Sequence, residues 1–308
     1  MLPIHFAPIQ GQTDLLYRTL HHQIAGGIEQ YYTPFVRWEK GSLRNKDLRE
    51  IDLAANASQP TAVQIIFRDR DEFLRLTEHM ISLGWKRIDL NLGCPFPLQT
   101  HAGRGCGILQ HPEIIEQIVT EILQLPDINF SVKMRLGLEN EAEGLTILPI
   151  LDAAHLCHIT LHARLGIQQY KGRADLQAFE RFYTQSATPM IYNGDITTPQ
   201  QIRQLEQQFP NLAGVMIGRG LLQRPTLAQE YLSEEEYPPQ AQLPIIRKIH
   251  DGIFDHSLQR LQGDSQILSR MQSFWEPYKD VLDKKLFKQL TRCGTLRSYR
   301  EALTHLPR

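Results

Sequence analysis

The run Arg87-Ile88-Asp89-Leu90-Asn91-Leu92-Gly93-Cys94-Pro95 alternates apolar and polar side chains and then breaks off at Gly-Cys-Pro. Alternation with period 2 is the signature of a β-strand. Glycine and then proline end it in a turn, one supplying conformational freedom and the other a fixed φ. A thiol is thereby offered at the tip of a strand, beside the Asn91 amide. A lone cysteine more often serves as a small buried hydrophobe, the reading that fits Cys157. Asn91, Gly93 and Pro95 are poor material for a core strand, so chemistry rather than packing accounts for this run.

The same pattern recurs along the chain. Strand-like segments fall at 5–9, 29–36, 61–67, 87–92, 129–136, 158–164, 190–196 and 214–219. Amphipathic helical stretches lie between them, as at 71–83, 112–123 and 199–209. Pro112 and Pro199 open two of these at a first-turn position, and Gly84 closes the other. Eight strand–helix alternations predict a (β/α)8 TIM barrel, since an open doubly wound sheet would stop at fewer strands. After Pro225 the alternation ends, residues 233–239 read as a linker, and 243–306 carry apolar residues at helical spacing. The expected organisation is a barrel over 1–235 followed by a C-terminal helical bundle over 240–308.

Composition narrows the functional classes. The 308 residues are 42% hydrophobic, enough for a large core. No apolar run is long enough to span a bilayer, and the start Met1-Leu2-Pro3-Ile4-His5 lacks a basic segment leading into an apolar one, so a soluble cytoplasmic protein is expected. Four cysteines without a CxxC pair suit reduced thiols, and the spacing of Cys94, His101 and Cys106 matches no zinc pattern. The net charge is −1, but from Gln240 onward twelve Lys or Arg face seven acids, a surplus of five that leaves −6 for the preceding residues. The basic tail fits either a solvated helical surface or a nucleic-acid-facing unit.

The unusual residues sit at or near the C-terminal ends of the proposed strands, which a barrel gathers on one face. They include Pro8, Ile9 and Gln10, Gln64, Asn91 with Cys94, Lys133 with Arg135, His162 with Arg164, Asn193-Gly194-Asp195 and Gly218-Arg219-Gly220. The glycine-containing turns after the seventh and eighth strands are where barrels commonly hold a phosphate through backbone N–H groups. Lys133, in mid-strand, would be costly inside a barrel unless an anionic or electron-rich ligand met it. Gln64 carries a donor and an acceptor suited to the edge of a heterocycle such as a flavin, and His162 fits ligand contact at a polar strand end.

Taken in order, Ala7-Pro8-Ile9-Gln10-Gly11-Gln12-Thr13-Asp14, Asp89 to Pro95, Val132-Lys133-Met134-Arg135-Leu136-Gly137, His162-Ala163-Arg164, Tyr192-Asn193-Gly194-Asp195-Ile196 and Ile217-Gly218-Arg219-Gly220 resemble the tRNA-dihydrouridine synthases. Thr33-Pro34-Phe35-Val36-Arg37 and the basic helical tail look closest to the bacterial C type. The resemblance implies an FMN-dependent barrel with a helical tRNA-binding unit, reducing the C5–C6 bond of a D-loop uridine, at position 16 by its likeness to the C type, with electrons from NADPH or NADH. It implies that Pro8, Ile9, Gln10, Gln64, Lys133, His162, Asn193, Gly194, Asp195, Gly218 and Arg219 hold FMN. Cys94 would be the proton donor and Asn91 would help hold the uracil. Arg37, Lys171 and Arg173 are further candidate substrate contacts.

This chain departs from the family pattern after Cys94-Pro95, where Phe96-Pro97-Leu98 replace the usual basic residue, and at Cys106, where a small residue is common. Two other readings compete. A flavin barrel acting on a free pyrimidine, in the manner of dihydroorotate dehydrogenases, needs no basic tail, and an RNA-binding module without catalysis would be colourless.

Overall fold

Eight parallel strands close into a barrel in a computed structural model that describes residues 1–39 and 41–306, with Pro239 and Gln240 described as backbone only. The barrel strands are β1 (Ile4–Phe6), β2 (Gln30–Tyr32), β5 (Thr61–Ile65), β6 (Arg87–Leu92), β7 (Asn129–Arg135), β8 (Ile159–His162), β9 (Met190–Asn193) and β10 (Gly214–Ile217). Neighbours pair in sequence order, and β1 closes the ring by pairing with both β2 and β10. The TIM-barrel expectation is met. Apart from β6, which matches its segment, the strands are shorter than the segments read from sequence, because residues at the segment ends leave the ladder to build loops. The sequence reading missed an antiparallel hairpin of β3 (Trp38–Glu39) and β4 (Ser42–Leu43), followed by a helix at Asn45–Glu50. With only two residues per strand, this hairpin is too short to show an alternation.

The helices begin where the chain can satisfy their free N–H groups. Asp69 caps Arg70–Ser82 by accepting from the Glu72 N–H, and Asp14 caps Leu15–Ile24 by accepting from Tyr17. Thr198 and Gln201 form a reciprocal capping box at Pro199–Gln208. Outward strand residues such as Ile88, Leu90, Leu92, Val132, Met134, Ile159 and Leu161 join these helices in one apolar core. The inward residues form a different set. Ala7, Tyr32, Ala62, Ile191 and Met216 make a small second cluster inside the barrel. Above it the interior carries Gln64, Asp89, Asn91, Ser131, Lys133, His162 and Asn193, so the lumen turns polar towards the C-terminal ends of the strands.

Four helices, Pro239–Arg260, Asp264–Trp275, Lys284–Arg292 and Leu296–Leu303, follow the barrel. The first lies on Leu15–Ile24 so closely that a Cβ at Gly252 would come within 2.8 Å of Leu20 Cδ2. Arg270 ties the second to Asp14 at 2.7 Å. Buried Tyr299 joins this group, meeting His250 Nε2 at 2.6 Å and accepting from Trp275 Nε1 at 2.8 Å. The segment read as a linker is anchored: buried Glu230 pairs with Arg224 and accepts from the Tyr237 N–H. Among the described residues no helix is long and apolar enough to cross a membrane.

Several histidines are held neutral by this packing. At the base of the barrel the Tyr32 hydroxyl bridges His5 Nδ1 (2.7 Å) and His158 Nε2 (3.1 Å). Burial pushes His5 and His21 down to about 3 and His158 to about 4, whereas it lifts Asp89 to about 6. The unfolded chain therefore binds a proton at each histidine as pH falls through 6.5, and the native state does not. Asp89 acts in the opposite sense between about 6 and 3.8. Near pH 5.5 these three histidines outweigh the one carboxyl, and His162 and His250, which burial also lowers, act in the same sense, so unfolding takes up protons and stability falls as pH falls. Urea midpoints should accordingly fall steeply between pH 7 and pH 5.5, and His158→Gln should flatten that slope.

Candidate active site

A cavity of about 470 Å3 opens at the C-terminal mouth of the barrel. Pro8 and Ile9 from the loop after β1, Lys133 from β7, His162 from β8, Asn193, Gly194 and Asp195 from the end of β9, and Gly218 and Arg219 from the end of β10 all line it. Nine of the eleven residues expected to hold a cofactor therefore share one wall-to-wall space. Gly218 is part of a tight wall, where a Cβ would stand 3.3 Å from Ile9 Cδ1 and 3.4 Å from the Ala7 Cβ.

Lys133 Nζ donates to Asn193 Oδ1 at 3.1 Å, and Asn193 Nδ2 donates to the Met216 carbonyl at 2.7 Å. The ammonium keeps its remaining N–H groups unmatched among the described residues. Burial lowers its pKa to about 8, with nearby Arg135 acting in the same direction. His162 is held well below its ordinary value, first by burial and then by Arg135, Lys133, Arg164 and Arg219 around it. Arg164 Nη1 meets His162 Nε2 at 3.1 Å, and since a guanidinium can only donate, that nitrogen accepts and Nδ1 carries the proton. Asp195 accepts from Arg164, from Arg219 at 3.2 Å and from the Ala174 N–H at 2.9 Å, which holds its carboxyl below the usual range despite partial burial.

Gln64, Asn91 and Cys94 lie on the adjoining strands. Asn91 is the cross-strand partner of Lys133. Its Oδ1 accepts from the Gly93 and Cys94 N–H groups at 3.1 and 2.9 Å, and its Nδ2 donates to Gln64 Oε1 at 2.8 Å. Cys94 is half-buried, and burial raises its thiol pKa. The Phe96 N–H and the charges of Arg135, Lys133 and Arg37 oppose that shift without cancelling it, so the sulfur stays protonated at neutral pH. Cys106 is fully buried and donates its S–H to the Cys94 carbonyl at 3.3 Å; burial lifts its pKa to about 12. Its sulfur stands where a Cβ on Gly166 would come within 2.5 Å, a packing position away from the cavity lining.

The remaining expected residues stand apart from the cavity. Gln10 is exposed and borders a groove of about 920 Å3 between the barrel and the C-terminal helices, together with Asp14, Arg260 and Arg270. Arg37, paired with Glu39 at 2.9 Å, lines a cavity of about 520 Å3 beside Leu98. Lys171 and Arg173 are exposed on the loop after β8, and Arg173 borders a hollow behind Gly194 and Asp195.

Three residues outside the expected set organise the mouth. Arg135 donates to the carbonyls of Gly93 (3.0 Å), Leu165 (3.0 Å) and Gln169 (2.8 Å), tying the Cys94 loop to the loop after β8. Tyr170 on that loop faces the guanidinium groups of Arg219 at 5.1 Å and Arg135 at 5.6 Å. Asp89 is the third. Period 2 puts Asp89 with Asn91 and Arg135 with Lys133 on the inward face, a signal present in the sequence. Tyr170 gave none, because a loop has no periodicity to read.

The fold and this mouth define a (β/α)8 barrel with a thiol, a lysine and several amides gathered at the strand tips. Among solved structures the fold is similar to morphinone reductase in complex with tetrahydroNAD (TM-score 0.52, 9% identity, covering 76% of this chain and 87% of that one). It is also similar to histamine dehydrogenase from Rhizobium sp. 4-9 (TM-score 0.57, 11% identity, 81% and 48%). The family model for dihydrouridine synthase (Dus) matches residues 5–304, and the chain belongs to that family. Relatives include a probable tRNA-dihydrouridine synthase of Rhodobacter capsulatus, 29% identical over 71% of this chain and 67% of its own length. The tRNA-dihydrouridine synthase B of Pseudomonas aeruginosa is 25% identical over 79% and 74%, and the tRNA-dihydrouridine(16) synthase of Neisseria meningitidis serogroup B is 30% identical over 77% and 73%.

The position of the thiol depends on Gly105, whose φ is +58°. A Cβ there would meet the Cys94 carbonyl oxygen at 2.4 Å and the Cys94 Cβ at 2.8 Å. Gly105→Ala should lower stability by about 2–4 kcal/mol. It should also displace the Cys94 turn, which faster labelling of Cys94 by a disulfide reagent would report.

Proposed function

We propose that this protein is a tRNA-dihydrouridine synthase that reduces the C5–C6 double bond of a D-loop uridine to 5,6-dihydrouridine, with Cys94 as the proton donor. The observation that carries the reading is a thiol kept protonated at a strand tip, one strand from a half-buried lysine and a cavity walled by the glycine-containing turns of β9 and β10.

The residues fit FMN. The β9 and β10 turns suit its phosphate, Asp195 there being already neutralised by Arg164 and Arg219. Lys133 offers a cation, Gln64 an amide and His162 an Nδ1–H to a conjugated ring. When bound and reduced by NADPH, the flavin would supply a hydride for C6 of the uracil. Cys94 then delivers its proton to C5, where negative charge develops, and an acid that remains undissociated at working pH suits this task. Asn91 offers an N–H to the base, and Lys133 stabilises charge on that side of the ring.

A stacked base cannot enter the mouth of a barrel, so the uridine leaves the RNA stack to react. The basic unit at 240–308 holds the body of the tRNA by phosphate contacts, and 1–235 carries catalysis. Arg37, Lys171 and Arg173, which stand outside the cavity, offer further phosphate contacts. Position 16 is the favoured uridine, supported by the Neisseria relative and by the Thr33 to Arg37 run of the C type, and the reaction takes place in the cytoplasm.

Dihydrouridine mapped in tRNA from a strain lacking the protein should be missing at one D-loop position and return with the wild-type gene. Unchanged tRNA in that strain would remove the assignment. Purified protein should be yellow. Cys94→Ala should keep the colour and lose at least about 100-fold in dihydrouridine formation, the scale of a lost general acid. The raised thiol pKa keeps the acid protonated beyond the ordinary thiol range, so the rate should stay level through neutral pH and its alkaline fall should follow the Lys133 ammonium, which loses its proton at about 8.

A further inference from the structure

A buried carboxylate below the mouth stands apart from the Cys94 thiol, yet it decides which way two amides assigned above to cofactor and base face. Asp89 is fully buried; its Oδ1 accepts from the Ser131 hydroxyl and its Oδ2 from Gln64 Nε2, both at 2.6 Å. Gln64 Oε1 in turn accepts from Asn91 Nδ2 at 2.8 Å, and Asn91 Oδ1 accepts from the backbone of Gly93 and Cys94.

The direction of each bond in this chain is fixed from both ends. Backbone N–H groups can only donate, so the oxygen of Asn91 faces the Cys94 turn and its nitrogen faces Gln64. The oxygen of Gln64 must then face Asn91, which turns its nitrogen towards position 89. An ionised carboxylate is acceptor-only and matches that nitrogen. Each amide keeps one N–H that no described residue takes, while both oxygens of Asp89 and the oxygen of Asn91 are committed.

We propose that Asp89 is a positioning and specificity-determining residue: by fixing Gln64 and Asn91 it makes this side of the mouth donate only, so that a carbonyl-bearing pyrimidine edge is accepted and an amino-bearing one refused. Uracil presents a carbonyl at C4 where cytosine presents an amine, and an amine opposite an N–H leaves two buried donors unpaired. The same chain reaches the Cys94 N–H, so Asp89 also holds the acid's backbone from two residues away. The inference rests on the functional reading above for the identity of the base, but the polarity of the two amides does not.

The test compares wild type, Asp89→Asn, Asp89→Ala and Ser131→Ala as flavin-containing proteins. Each is assayed on a tRNA transcript and on the same transcript with cytosine at the target position, and side-chain amide spectra are recorded on 15N-labelled protein. The amide introduced by Asp89→Asn can still accept from Gln64 while donating to Ser131, so this variant should keep kcat within about threefold and preserve the base preference. Ser131→Ala leaves the Gln64 bond intact and should do the same. Asp89→Ala orphans the Gln64 nitrogen; it should lose at least about thirtyfold in kcat, keep KM for tRNA within about twofold, and narrow the preference for uridine. The Gln64 and Asn91 NH2 resonances should move in Asp89→Ala and stay in Asp89→Asn.

An Asp89→Ala enzyme equal to wild type, or an Asp89→Asn enzyme as impaired as Asp89→Ala, would overturn the proposal. Should Asp89→Ala fail to unfold cooperatively, a loss beyond about tenfold in Asp89→Asn or Ser131→Ala overturns it instead. Wild-type protein that makes no dihydrouridine on any tRNA removes the functional reading, and the amide spectra then decide the role of Asp89 alone.

Discussion

A carboxylate inside a barrel is costly unless every lone pair it turns away from water finds a donor, and Asp89 finds its donors only on the neighbouring strands. That requirement fixes register. Asp89 stands opposite Gln64 on one side and Ser131 on the other, and a slip of one residue in either ladder would replace a donor with Val63, Ile65, Val132 or Phe130. The buried polar ladder is thus a specification of strand pairing as much as a platform for chemistry. It continues one residue pair higher, where Asn91 faces Lys133 across the ladder and Lys133 reaches Asn193 two strands away.

The barrel lumen separates stability from chemistry along its axis. At the base, His5, Tyr32 and His158 satisfy one another and Ala62, Ile191 and Met216 fill the remaining space. These residues make the ring a packed core rather than a pore. Towards the mouth the inward positions are charged or amide-bearing, and their mutual hydrogen bonds leave a few N–H groups of Lys133, Gln64, Asn91 and His162 unused. Groups held in place by packing yet still short of partners are preorganised for a ligand. The loops that carry the Cys94 thiol and the cavity rim are stitched together by arginine, with Arg135 capping three carbonyls and Arg164 reaching Asp195 and the Gly172 carbonyl. A planar, always-charged fork suits this task, since it binds several acceptors without changing protonation state.

Much of the plan was legible in the sequence. Eight strand-like segments coincide with the eight barrel strands, and nine residues scattered from Pro8 to Arg219 at their ends line one cavity. The Gly93-Cys94-Pro95 break marked the thiol, whereas Cys157, expected to be a buried hydrophobe, is exposed just before β8. Less legible were features without periodicity: the β3–β4 hairpin, the Tyr170 loop and the anchored stretch after Glu230. Gln10 shows the limit of the strand-end rule. It follows Pro8 and Ile9 in sequence, but the turn closed by the Thr13 hydroxyl on Ile9 sends it over the rim towards the C-terminal helices.

The sequence by itself determined the alternation, and with it the barrel, the inward polar face and the place of Cys94, because hydrophobic periodicity and turn chemistry are local properties that need no partner. Only the tertiary structure decided the direction of the hydrogen bonds along Asp89, Gln64 and Asn91, the proton position on His162 and the protonated state of the Cys94 thiol. Each of these depends on which group stands across from it and how much water is excluded, and residues far apart in the chain settle both.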